Sequence, residues 1–189
     1  MKLYIKYDIN TTCKKVLEEQ LEKEQLAFSL ISFGEIELLE SLSGDQLKRL
    51  NESLGNYGIE ILESPKSILV QKIKDAIIEM VYMDEKLPTF KVSDYLAEKL
   101  KYSYGYLFNL FQEVTYTSIV NFIILQKTER AKELLATNEF SITEIAWKLN
   151  YSSVAHFSNQ FKNETGITPT TFLRIMNKRR KMEEEIKQL

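Results

Sequence analysis

The sequence predicts an α+β chain. A small ferredoxin-like βαββαβ unit over residues 1–63 precedes an all-α domain of two helix-turn-helix units over 64–180 and a charged helical tail over 181–189. Three observations carry this. Leu3, Ile5, Tyr7 and Ile9 alternate with polar residues, the period of a strand with one buried face. The C-terminal half repeats one pattern: Leu107, Asn109, Phe111, Ser118 and Phe122 recur 50 residues on as Phe157, Asn159, Phe161, Thr168 and Phe172. Upstream, Leu96-Ala97 and Leu100 recur 49 residues on as Ile145-Ala146 and Leu149, so the one-residue slip falls in a turn. Each copy reads as helix, tight turn, helix. Charge is also segregated: residues 1–65 hold 7 Lys+Arg and 12 Asp+Glu, whereas residues 147–181 hold 7 basic residues and only Glu164.

The elements follow in order. After the first strand, Thr11 or Thr12 is placed to cap a helix with Val16, Leu17 and Leu21 on its apolar stripe. Residues 28–33 and 36–39 read as two strands meeting at Gly34, residues 43–55 as a second helix, and residues 59–62 as a last strand. Ser64-Pro65 is a cap followed by proline at the first helical position, and it opens a helix to about residue 83. Ser93 is expected to cap the first helix-turn-helix, whose second helix runs over 103–114. A long helix over 118–137 connects it to the second unit, where Ser141 and Glu144 form a capping box and the second helix spans 153–164. Gly166 stops that helix and Pro169 begins the last.

Composition bounds the function. At 189 residues with 44% hydrophobic and 28% charged residues, the chain resembles ordinary globular proteins. A lone cysteine excludes an intrachain disulfide and fits a reducing cytoplasm. The start has no signal-peptide pattern, and no apolar run is long enough for a membrane span. No Gly-rich phosphate loop, carboxylate pair or metal cluster is legible, so neither an enzyme nor a cofactor is expected. The helix-turn-helix instead sets its second helix in a DNA major groove, and a basic surface answers phosphate. A connecting helix of about 20 residues, roughly 30 Å, matches the roughly 34 Å between successive grooves on one duplex face.

The residues here resemble a known family. Ile142-Thr143-Glu144-Ile145-Ala146, the turn Asn150-Tyr151, then Phe157, Phe161-Lys162, Thr165-Gly166, Thr168-Pro169 and Phe172 are similar to the signature of the AraC/XylS transcription regulators. The resemblance covers about residues 66–177. It implies a bacterial, cytoplasmic DNA-binding regulator with double-stranded DNA as its ligand, RNA polymerase as a contact, and an N-terminal domain that senses a ligand or forms a homodimer. Tyr116 and Asn150 stand where the family usually has glycine.

Helix geometry and the family's pattern name the contacts. With Leu107 and Phe111 in the core, Tyr104, Gly105, Phe108 and Asn109 face outward as base readers; with Phe157 and Phe161 in the core, so do Val154, Ala155, His156 and Asn159. Asparagine can pair bidentately with adenine, and Val154 and Ala155 can touch thymine methyls. Ser103, Lys148, Ser153, Lys162, Arg174, Lys178 and Arg179 are the phosphate contacts. The bland alternative is an ordinary solvated surface. A protein-interaction adaptor that kept the fold but lost base readout is a second reading.

Cys13 stands apart. It follows the first expected strand and opens a helix, a place that resembles the metal loop of heavy-metal-associated ferredoxin-like domains. Those need a second cysteine three residues on, where this chain has Val16. A small half-buried residue is the simpler reading, with metal or redox sensing through Cys13 the alternative.

Overall fold

The computed structural model describes residues 3, 5, 9–32, 35–83 and 91–187, with side chains left aside at 9, 10, 31, 32 and 183–187. The chain divides into two compact units, residues 1–68 and 69–189.

In the first unit, α1 (Ile9–Lys23) leads into a hairpin of β1 (Phe28–Ser32) and β2 (Glu35–Leu38), followed by α2 (Gly44–Gly55). The strands are antiparallel, with Phe28 opposite Leu38 and Leu30 opposite Ile36. Ser43 caps α2 in a full capping box with Gln46. Leu21, Leu50 and Leu54 form the buried core, with Leu17, Phe28, Ile36 and Ile61 packed around it.

The ferredoxin-like βαββαβ order is not found. Among the described residues the only sheet has two strands. Among the described residues, 59–62 join no ladder. Their alternation reports burial of Ile59 and Ile61 against the leucine core, which needs no strand partner. Leu3 and Ile5 are exposed and outside any strand, and Ile9 is already helical. The rest of the expected first strand, and Gly34 of the expected turn, lie outside the described residues. Helix α1 therefore begins before Thr11 and Thr12, and neither residue is its cap.

From residue 65 onward every described element is a helix: α3 (Pro65–Tyr82), α4 (Val92–Leu100), α5 (Tyr104–Thr115), α6 (Ile119–Thr137), α7 (Ile142–Lys148), α8 (Val154–Thr165) and α9 (Pro169–Lys187). Helix α4 starts two residues earlier than a cap at Ser93 would place it. Lys91 is its N-cap without a side-chain bond, and Ser93 lies inside, donating to Asp94 Oδ1 at 3.1 Å. Helices of 9 and 7 residues such as α4 and α7 are too short to persist alone, so packing holds them. One continuous core does so, running from Ile73 and Ile77 of α3 through Leu96, Leu107, Phe111, Ile119, Leu135 and Ile145 to Phe157 and Phe161.

The 50-residue repeat extends to individual hydrogen bonds. Thr115 Oγ1 donates to Phe111 O at 2.7 Å, and Thr165 Oγ1 to Phe161 O at 2.7 Å. The Thr117 and Ile167 amides donate back to those hydroxyls, each at 3.4 Å. The rings of Phe111 and Phe122 lie 5.7 Å apart, as do those of Phe161 and Phe172. Helix α5 ends on Tyr116 at φ 56° and α8 on Gly166 at φ 80°, both left-handed. Only glycine adopts that region freely.

The same turn therefore costs more in the first copy. Tyr116 is 93% exposed, so no packing offsets its strain. Tyr116→Gly is expected to raise stability by about 1 kcal/mol, and Gly166→Ala to lower it by about as much. Chemical denaturation of the two variants checks both signs.

Candidate nucleic-acid interface

Each second helix is fixed at its start by a serine. Ser103 Oγ accepts from the Tyr106 amide at 3.4 Å, and Ser153 Oγ from the His156 amide at 3.1 Å. Both serines spend their oxygen on the cap and keep an exposed hydroxyl proton for an acceptor such as phosphate.

The eight expected base readers separate into two groups. Gly105, Asn109, Ala155, His156 and Asn159 are exposed on the outer faces of α5 and α8. Tyr104, Phe108 and Val154 are half-buried and packed against the core. Tyr104 and Val154 are the first residues of their helices and sit where the outer face turns inward. Burial pushes the Tyr104 phenol above its usual range. Among the expected phosphate contacts, Lys162, Arg174, Lys178 and Arg179 are exposed. Arg174 and Lys178 border a groove of about 480 Å³ on α9, with Thr170, Asn177 and Lys181. Lys148 is drawn inward, its Nζ 4.7 Å from the Phe140 ring centre.

Cys13 is half-buried in the fifth position of α1, a full turn inside the helix rather than at its mouth. Among the described residues no group of three or more His, Cys, Asp or Glu is placed to hold a metal. No described helix is long and apolar enough to cross a membrane.

Two features escaped the reading of the sequence. Tyr102 and Tyr106 stack at 5.4 Å, both about half exposed. The 50-residue repeat already equates Tyr106 with His156, so the signal was present. Tyr151 is the extra residue of the second turn and is only 6% exposed, its ring 5.2 Å from Phe157 and 5.4 Å from His156. The Lys127 ammonium lies 5.0 Å from the Tyr151 ring centre.

A helix-turn-helix domain family model matches residues 96–175. The regulatory protein SoxS of Salmonella typhimurium is 32% identical over 102 residues, 54% of this chain and 94% of that protein. The chain belongs to the AraC-type helix-turn-helix family of sequence-specific DNA-binding transcription regulators. The Msm operon regulatory protein of Streptococcus mutans is 34% identical over 84 residues, but these are 44% of this chain and 30% of that longer relative. The C-terminal domain of AraT, a response regulator from Geobacillus stearothermophilus, superposes with a TM-score of 0.51 at 26% identity, covering 59% of this chain and 88% of that domain. AraC-type proteins are regulators rather than enzymes.

Burial raises the Tyr151 phenol to about 12, with Glu164 adding to the effect. A phenol whose folded value exceeds the unfolded one supports the fold below about pH 10, and that support is lost as pH rises toward 12. Burial lowers Lys127, so this group works in the opposite sense on the approach to its ordinary 10.5. We expect wild type to lose stability over this window, and Tyr151→Phe to remove a share on the order of 2 kcal/mol. Thermal melts between pH 9 and 12 read the difference.

Proposed function

We propose that this chain is a cytoplasmic bacterial regulator that places α5 and α8 in two successive major grooves on one face of a duplex. The observation that carries this is the doubling itself: two recognition helices with matching caps, core rings and exit turns, joined by the single helix α6. At 19 residues α6 is about 28 Å long, close to the roughly 34 Å repeat of the groove. Asn109, Gly105, Ala155, His156 and Asn159 read base edges, with Tyr104, Phe108 and Val154 contributing apolar edges at the rim of each helix. Lys162, Arg174, Lys178 and Arg179 bind phosphate, helped by Ser103 and Ser153, and Lys148 joins them on leaving Phe140.

The separation of charge supports the assignment. Lys99, Arg130 and Lys132 are engaged by Glu79, Glu133 and Glu129, whereas among the described residues Lys162, Arg174, Lys178 and Arg179 stand in no ion pair. Residues 1–63, acidic in balance, act as a homodimerising or modulating module for the DNA-binding residues 64–180. Exposed Leu39, Leu47 and Tyr57 give it apolar surface for that purpose. RNA polymerase is the expected further partner.

Selection of binding sites from a random duplex pool with the full chain tests the reading. A motif of two half-sites about ten base pairs apart is expected. A protein that enriches nothing would contradict it. On the selected duplex, Asn159→Ala should cost about 1–3 kcal/mol and relax one base position. Lys162→Ala and Arg174→Ala should instead weaken all sequences alike, each flattening the slope of log affinity against log salt by about 0.9.

A further inference from the structure

The two recognition helices share a device that their compositions hide. In the second unit Ser152 Oγ lies 3.1 Å from His156 Nδ1, one helical turn apart across the start of α8. Their equivalents 50 residues earlier are Tyr102 and Tyr106, whose rings stack at 5.4 Å with an interplanar angle of 28°. Both pairs join the residue before the capping serine to the third residue of the helix, and both hold that third side chain in one place. The hydrogen bond leaves His156 with Nε2 as its remaining polar atom. The stack leaves Tyr106 with a rigid ring edge and a hydroxyl.

We propose that Tyr106, braced by Tyr102, is a specificity-determining side chain of the first unit, the counterpart of His156 in the second. This rests on the DNA-binding reading above. Tyr102 is 49% exposed and Tyr106 47%, and neither belongs to the core, so packing does not account for the pair. Helix α5 holds no lysine or arginine, only Glu113 as a charged residue, so its contribution to binding is contact rather than charge. A tyrosine near the N-terminus of a recognition helix offers an apolar edge for a thymine methyl and an Oη that donates or accepts at a neighbouring base edge. Bracing matters because a side chain already ordered loses little freedom on binding.

The test repeats the random-duplex selection with full-length wild type, Tyr106→Ala, Tyr102→Ala, and the double variant Tyr102→Ser with Tyr106→His. Tyr106→Ala should lose base preference at one or two positions of one half-site and bind the wild-type site roughly tenfold more weakly, with an unchanged salt slope. Tyr102→Ala should blur the same positions less, and Tyr102→Phe, which keeps the ring, should restore them. The double variant installs the second unit's pair, and the affected positions should take on the preference found at the matching positions of the other half-site. Circular dichroism should show every variant folded, because both side chains are half exposed. If wild type selects a two-part motif and the Tyr106 variants select the same one, this inference fails and the regulator reading stands. If wild type selects nothing, both fail together.

Discussion

Both recognition helices owe their position to one shared buried surface. Helix α6 contributes Ile119, Ile123, Ala131, Leu134 and Leu135 to a core that also holds Leu107 and Phe111 of α5 and Phe157 and Phe161 of α8. The helices that precede α5 and α8 are too short to be stable unaided, so each helix-turn-helix exists only as packed against this core. Burying a phenylalanine contributes about 1.5–3 kcal/mol, and four rings in two matched pairs carry the junctions at which α5 meets α6 and α8 meets α9. Interiors packed to this density do not deform gradually, so the spacing between the reading surfaces is a property of the core. On the reading proposed above, function depends on that rigidity, because two helices must meet two grooves in one register.

The repeat is physical as well as textual. Thr115 and Thr165 make the same three contacts to the backbone, and Ser118 and Thr168 cap the helices that follow. Against this sameness the differences gain meaning. The second turn has the buried Tyr151 as its additional residue, and the second exit has glycine where the first has a strained tyrosine. The first helix-turn-helix carries the exposed stacked rings of Tyr102 and Tyr106 where the second has Ser152 and His156.

How much was legible depended on which force set each element. Helices of the second unit are readable because caps and apolar stripes are local signals: Ser141 caps α7 in the expected capping box, Ser103, Ser118 and Ser153 cap helices expected to begin at those residues, and Ser93, expected as a cap, lies inside α4. The first unit was misread because period-two alternation marks a buried face without naming a partner strand. Residues 59–62 satisfy the alternation and, among the described residues, form no ladder. Of the base readers, Tyr104, Phe108 and Val154 were placed outward although each is large enough to fold back on the core from the rim of its helix. Tyr106 is the equivalent of His156 in the 50-residue repeat, but its stacking on Tyr102 is a tertiary fact that spacing alone does not display.

The claim on which everything rests is that one rigid core presents two reading helices to one side of a duplex. Hydroxyl-radical footprinting of the full chain on a selected site measures this directly. The account predicts two protected windows on the same face, about ten base pairs apart, both lost together when Phe161→Ala opens the core. A single protected window, or two windows on opposite faces, would contradict it.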